Sequence, residues 1–120
     1  MRRAFFLAAM CAATSAFTPA ASAQETGLDA LHEQRREGNK ICMVSHYHYG
    51  SSANQQNRKA AEAAAIKDWV GFTAWEYGDP WGSWALAGSK KVECNATGAF
   101  YGCTVEARAC KPVARGGKKK

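Results

Sequence analysis

The residues best suited to chemistry are two histidines two positions apart, His46 and His48. They fall in a stretch rich in β-formers, residues 41–49, which predicts a strand. Because side chains alternate between the two faces of a strand, both imidazoles would point the same way and could bind one metal ion. Two ligands do not complete a site, and Glu93 and His32 are the candidates for a third. The alternative is that both rings face solvent.

A cluster of aromatic residues lies between positions 69 and 84. Tryptophan and tyrosine rings stack on sugars and on apolar protein surfaces, and they dominate binding hot spots. Periodicity places Trp69 of the predicted helix and Trp84 of a predicted strand in the core, whereas the others lie off the apolar stripe of the helix or in the turn after it. We therefore predict that Trp75, Tyr77 and Trp81 form an exposed patch that binds an unknown protein or an envelope polysaccharide. The alternative is that the whole cluster is core.

The case for catalysis is weak. Asp68, Glu76 and Asp79 could supply a pair of carboxylates, but they could equally be surface charges. Ser45 precedes the first histidine, yet neighbours in a strand point to opposite faces and do not form a nucleophile and base. The sequence also contains no glycine-rich phosphate loop and indicates no cofactor. We expect a non-enzymatic binding protein, and the alternative is a periplasmic metal-binding or hydrolytic protein that uses the two histidines.

Four cysteines follow the N-terminal segment: Cys42, Cys94, Cys103 and Cys110. An even number in a small exported domain indicates two disulfides, with three possible connectivities. Cys94 and Cys103 share the inward parity of two strands joined by a short turn, so they can meet across a hairpin. This leaves Cys42 to pair with Cys110, which has the opposite parity to Cys103. The disulfides predicted are thus Cys94–Cys103 and Cys42–Cys110.

One helix must position these groups. Ser52 could cap it, with Gln55 closing a capping box. The alanine-rich composition from residue 53 onward favours helix because alanine loses no side-chain rotamers. Apolar residues recur at spacings of three and four up to a stop at residues 78–80. The buried stripe predicted by this spacing contains Ala61, Ala65, Ile66, Trp69, Val70, Phe72 and Thr73.

Two further strands are predicted over residues 84–94 and 100–110, as an antiparallel hairpin with an apolar and a polar face. The order strand, helix, strand, strand indicates a small single α+β domain: one three-stranded sheet packed on one long helix. We place this domain at residues 40–112. Residues 24–39 before it read as a polar arm or short helix, and residues 113–120 after it as a basic flexible tail.

The first 23 residues have the organisation of a secretory signal peptide. Arg2 and Arg3 precede an apolar run of about ten residues, and Ala21 and Ala23 supply small residues for cleavage after position 23. A membrane-spanning helix needs roughly 20 apolar residues, so we expect cleavage rather than anchoring and no transmembrane segment. General and twin-arginine export both remain open. The expected location is periplasmic or extracellular.

The formal net charge of +6 is unevenly distributed. Between residues 24 and 111, ten lysines and arginines balance ten aspartates and glutamates. The excess lies in Arg2 and Arg3 and in the tail residues, Arg115 and residues 118–120. The domain therefore lacks the basic surface of a nucleic-acid-binding protein. The tail could contact an anionic surface at about 1 kcal/mol per charge, although a solvated tail is the default expectation.

Overall fold

The computed structural model describes residues 25–114, so the predicted signal peptide, its cleavage site and the charged part of the tail lie outside the described residues. Two short 3-10 turns span Leu28–Leu31 and Asp79–Trp81. The single helix α1 spans Arg58–Tyr77 in this part of the chain. The strands are β1 Gln34–Glu37, β2 Lys40–Met43, β3 His48–Ser51, β4 Gly88–Thr97, β5 Phe100–Arg108 and β6 Cys110–Pro112.

The strands form two antiparallel three-stranded sheets, with the orders β1-β2-β6 and β3-β5-β4. The predicted α+β class with one long helix is confirmed. The predicted single three-stranded sheet is wrong in detail, because the described strands form two sheets. The predicted strand over residues 41–49 breaks after Met43, and the last strand breaks at Ala109. The Met43 N–H donates to the Ala109 carbonyl at 3.0 Å, so both breaks lie side by side. Each chain segment turns there from one sheet into the other, as strands do at the corners of packed sheets.

The described part of the segment predicted as a polar arm belongs to the fold. Its strand β1 pairs with β2, and Gly38 occupies the turn between them at φ 66°, a left-handed conformation that glycine adopts at little cost. The Thr26 N–H donates to the Tyr77 carbonyl at 3.2 Å, which attaches the start of the described chain to the end of α1. The helical pattern of Leu28 and Leu31 is realised only as a 3-10 turn, with Leu31 77% exposed.

Helix α1 begins later than the capping box predicts. The side chain of Asn57 accepts the Ala60 N–H at 2.8 Å and caps the helix. The Ser52 hydroxyl instead accepts the Cys103 N–H at 3.0 Å and so binds the β5 strand. The buried face of α1 consists of every fourth residue: Ala61, Ala65, Trp69, Thr73 and Tyr77. Phe72 was predicted in the buried stripe but is 44% exposed. It comes one position before Thr73 and therefore does not belong to the buried face.

Strand β3 lies unusually close to α1 at Gly50. A Cβ atom on Gly50 would lie 2.3 Å from the Ala65 carbonyl oxygen and 2.6 Å from the Trp69 amide nitrogen. A residue with any side chain would push the strand away, whereas glycine lets the two backbones pack directly. This contact fixes where β3 runs along the helix, and therefore where His48 at the start of β3 lies.

Both predicted disulfides are confirmed. Cys42 is bonded to Cys110, and Cys94 to Cys103. Each bond joins residues that are directly opposite in the strand register, β2 with β6 in one sheet and β4 with β5 in the other. One disulfide therefore crosslinks each sheet.

A non-reducing tryptic digest is expected to reproduce this connectivity. Cleavage after Lys40, Lys91 and Arg108 should give peptide 41–58 linked to peptide 109–115 through Cys42 and Cys110. Peptide 92–108 should appear alone because it contains both cysteines of the other disulfide. Mass spectrometry before and after reduction measures the linkage. A crosslink from 92–108 to either of the other two peptides would contradict the strand pairing.

Candidate functional site

The centre of the candidate site is His48, the first residue of β3, which is only 3% exposed. Its carbonyl oxygen accepts the Trp69 indole N–H at 3.1 Å. Its Nδ1 lies 2.9 Å from the hydroxyl oxygen of the buried Thr73. The Tyr77 ring stacks on the imidazole, with 4.8 Å between ring centroids. The helix therefore fixes both the position and the orientation of this ring.

The other nitrogen of His48 faces Glu76. Its Nε2 lies 2.8 Å from the Glu76 carboxylate, so a buried imidazole and a partly exposed carboxylate meet at the end of α1. His46 lies in the bend between β2 and β3, and its ring centroid is 5.2 Å from that of His48. One ligand atom from each of His46, His48 and Glu76 lies within 4.8 Å of the other two. The structure thus brings together the two predicted histidines and adds a carboxylate from α1.

This set of groups matches the ligands that zinc and similar ions use. Two imidazoles and one carboxylate form the His₂Glu pattern of zinc sites with an open position. Ligand atoms about 2.1 Å from one ion lie roughly 3 to 4 Å apart, so the three side chains need only a small closing movement. His46 can provide this movement because it lies outside any strand and is only partly buried.

Burial favours the neutral form of both histidines. It lowers the pKa of His46, and the nearby His32 lowers it further. Burial also lowers the pKa of His48, against the opposing effect of the Glu76 carboxylate. Neutral imidazole is the form that binds metals. When Nε2 of His48 is the ligand atom, Nδ1 carries the hydrogen, and its N–H donates a hydrogen bond to the Thr73 hydroxyl. This is a typical supporting contact for a ligating histidine.

The residues suggested by the sequence as a third ligand do not join this group. Glu93 lies on β4 with its side chain 66% exposed, 3.3 Å from Lys91. His32 stacks on His46 with 3.8 Å between ring centroids but lies outside the converging ligand atoms. Glu76 was recognised only as one of several acidic residues, since the sequence does not show that the end of α1 lies against the start of β3.

The predicted aromatic patch is wrong for two of its three residues. Tyr77 and Trp81 are fully buried, whereas Trp75 is 75% exposed. Tyr77 falls on the buried face of α1 because it follows Thr73 by four positions. The Asp79–Trp81 turn folds back below the helix end, where the residue after it, Gly82, bridges to Cys110 of β6. Trp81 is thereby enclosed rather than presented to a partner.

Two adjoining depressions open beside the histidines. The first, which we call the histidine groove, has a volume of about 540 Å³ and is lined by His46, Tyr47, His48, Tyr49, Asp68, Phe72 and Glu76. The second is a shallower surface of about 570 Å³ on the outer face of α1, around Lys67, Gly71 and Trp75. Asp68 and Phe72 line both. The candidate metal ligands are thus accessible from solvent through a space large enough for a small molecule.

No protein-family model matches this chain, and searches of curated proteins and of solved structures find no match either. Within residues 25–114, no helix combines the length and apolar character needed to cross a membrane.

Proposed function

We propose that this protein is an exported metal-binding protein that holds a divalent transition-metal ion such as zinc at His46, His48 and Glu76. The observation that carries the proposal is that one ligand atom from each of these three side chains lies within 4.8 Å of the other two, around the buried ring of His48. We propose metal binding as its role, and we assign no catalytic step to the site.

The ligand set itself supports this proposal. The buried Nε2 of His48 lies 2.8 Å from the Glu76 carboxylate, so two of the three candidate ligand atoms already meet. A metal ion bound to both would move them slightly apart and would also bring in His46.

The two disulfides are compatible with export and with a metal site built from nitrogen and oxygen ligands. Disulfides form in exported proteins and are rare in the cytosol. Since all four cysteines of the described chain are bonded in pairs, none is available as a thiolate ligand. A metal in this protein would therefore be bound by nitrogen and oxygen donors, which are the atoms that the site supplies.

We expect cobalt(II), a spectroscopic substitute for zinc, to bind with one equivalent per chain and to produce visible d–d absorption. His46→Ala should weaken binding at least about 100-fold and Glu76→Gln at least about 10-fold, since even outer contacts of a metal site contribute 10- to 100-fold. Both side chains are partly exposed, so the variants should retain the fold. Absorption titration and zinc competition measure the affinities.

Glu93→Gln is the matched control for this experiment, because it removes an equally charged side chain that lies outside the site. It should bind cobalt like the unmodified chain, and circular dichroism should show native folding for every variant. Absence of stoichiometric cobalt binding, or unchanged affinity in folded His46→Ala, would refute the metal site.

A second candidate function is binding of an envelope polysaccharide through Phe72 and Trp75. The two rings are 44% and 75% exposed on one face of α1, with 6.0 Å between centroids. Exposed aromatic faces stack on sugar rings, and the neighbouring Lys67 and Asp68 could bond to hydroxyl groups. Soluble cell-wall glycans should then change tryptophan emission in the native chain but not in Trp75→Ala. An unchanged emission spectrum in the native chain would exclude this function.

A further inference from the structure

We propose that the metal site has an open coordination position that takes an imidazole-type nitrogen donor carrying an apolar or aromatic body, seated in the histidine groove. The inference rests on the proposed metal site and specifies what that site binds. Histidine-containing peptides and small aromatic N-heterocycles share this chemistry.

The open position follows from the number of ligands. Residues 25–114 bring three ligand atoms together, and zinc completes a set of four with a water molecule or another exogenous ligand when the protein supplies three. His32 does not fill the fourth place, because its ring is stacked on that of His46 and stands apart from the converging atoms. The missing ligand must therefore come from the groove that opens beside the three side chains.

The size of the groove indicates a molecule rather than a single water. Its volume of about 540 Å³ lies within the roughly 300 to 1,000 Å³ typical of small-molecule sites, whereas one water needs about 30 Å³. His46, His48 and Glu76 themselves line this space. A ligand bound to the metal would thus extend its remaining atoms along the groove.

The walls of the groove favour an apolar or aromatic body. Three rings line it beyond the ligating residues, those of Tyr47, Tyr49 and Phe72. They are 37%, 60% and 44% exposed, so each presents a large apolar surface to solvent. The Phe72 ring also contacts His48 edge-on, with 4.9 Å between centroids, so this wall begins directly beside the metal ligand. A flat ring placed between these side chains would bury apolar surface on both of its faces.

The charges favour a neutral nitrogen donor over an anion. The charged residues that line the groove are both acidic, Asp68 and Glu76. A bound divalent ion would offset the charge of Glu76, so Asp68 is the negative charge that would repel a carboxylate or phosphate donor, whereas it would not repel a neutral imidazole. One Asp68 oxygen accepts the Ser51 N–H at 2.9 Å, and the carboxylate has further capacity to accept the single N–H of a metal-bound neutral imidazole.

The test uses the full mature chain loaded with cobalt(II) and four probes: 4-phenylimidazole, imidazole, acetate and inorganic phosphate. We expect both imidazoles to shift the d–d bands, with 4-phenylimidazole binding at least about tenfold more tightly because its phenyl ring occupies the groove. Acetate and phosphate should cause no shift at equal concentrations. Tyr49→Ala and Phe72→Ala should each remove most of the preference for 4-phenylimidazole over imidazole, a ratio that is measured independently of any change in cobalt affinity.

Trp75→Ala is the control variant, since this exposed aromatic residue lies on the helix surface outside the histidine groove. It should keep the full preference. If cobalt binds but neither imidazole shifts its bands, or if the two imidazoles bind equally, the inference is overturned and the metal site stands. Binding of acetate or phosphate more tightly than imidazole would contradict the proposed nitrogen donor. If cobalt does not bind at all, the proposed function itself fails.

Discussion

Trp69→Ala is expected to lower the free energy of unfolding by about 3 to 5 kcal/mol, the range for removing a large aromatic side chain from a core. Trp69 is fully buried and packs edge-on against Trp84, with 5.2 Å between ring centroids. Its indole N–H donates to the His48 carbonyl, so the substitution also leaves this oxygen without its partner. Because the same hydrogen bond holds His48 in place, cobalt affinity should fall together with stability.

Two further tryptophans provide internal comparisons. Trp81→Ala should also cost several kcal/mol, since Trp81 is fully buried. Its indole nitrogen has no hydrogen-bond partner in the described chain, so this loss comes from packing and from the contact of the Lys111 ammonium group, which lies 5.0 Å from the centre of the ring. Trp75→Ala should change stability by less than about 0.5 kcal/mol because the side chain is 75% exposed.

Urea unfolding followed by far-ultraviolet circular dichroism measures these effects, because fluorescence would change with the number of tryptophans. Similar losses for Trp75→Ala and Trp69→Ala would show that the outer face of α1 is not the free surface described above.

Glu37→Ala should lower the free energy of unfolding by about 3 kcal/mol, since removing one partner of a buried ion pair leaves the other charge uncompensated. The Arg108 side chain is only 7% exposed and that of Glu37 25%, and the guanidinium meets the carboxylate through two contacts, at 2.6 and 3.0 Å. It also donates to the Met43 carbonyl and the Ser89 hydroxyl. Arg108 ends β5 and Glu37 ends β1, so this ion pair connects the two sheets.

The contribution of Glu37 should depend on pH in a defined direction. The hydrogen bond from Arg108, aided by its charge, lowers the pKa of Glu37 from 4.5 to about 2. Between these two values the unfolded chain binds a proton at this carboxyl that the folded chain does not, so acid favours unfolding. The stability from this group is therefore complete above pH 4.5 and is lost as the pH falls towards 2.

Urea unfolding of the native chain and of Glu37→Gln over this pH range measures the effect. The difference between them should be constant above about pH 5 and should shrink below pH 4.5. Glu93→Ala serves as control because its ion pair with Lys91 is exposed and should contribute less than about 1 kcal/mol at any pH. A constant difference down to pH 2.5 would contradict the assignment.

Local sequence patterns were sufficient for several parts of the fold. The helix, the β4–β5 hairpin and the Cys94–Cys103 disulfide all involve residues close in sequence, where periodicity and turn residues carry the information. The Cys42–Cys110 disulfide was accessible by elimination, since only two cysteines remained. The spacing of His46 and His48 likewise identified two of the three candidate ligands.

Other features depended on contacts between distant segments. The run of β-forming residues continues unchanged through the bend after Met43, so the sequence does not show that residues 41–49 divide between two sheets. Trp81 could be turn or core, and only the return of the Asp79–Trp81 turn against β6 decides that it is buried. In the same way, β1 became visible as a strand only through its pairing with β2.

The candidate site depends both on local sequence and on contacts between distant segments. The sequence by itself indicated that the two imidazoles lie close together, because only Tyr47 separates them along the chain. Only the tertiary structure decided that Glu76 faces them, 28 positions after His48. That contact depends on the close packing of Gly50 against α1, which sets how far along the helix β3 begins. Backbone approach of this kind is fixed by the shapes of both segments together, and neither segment encodes it alone.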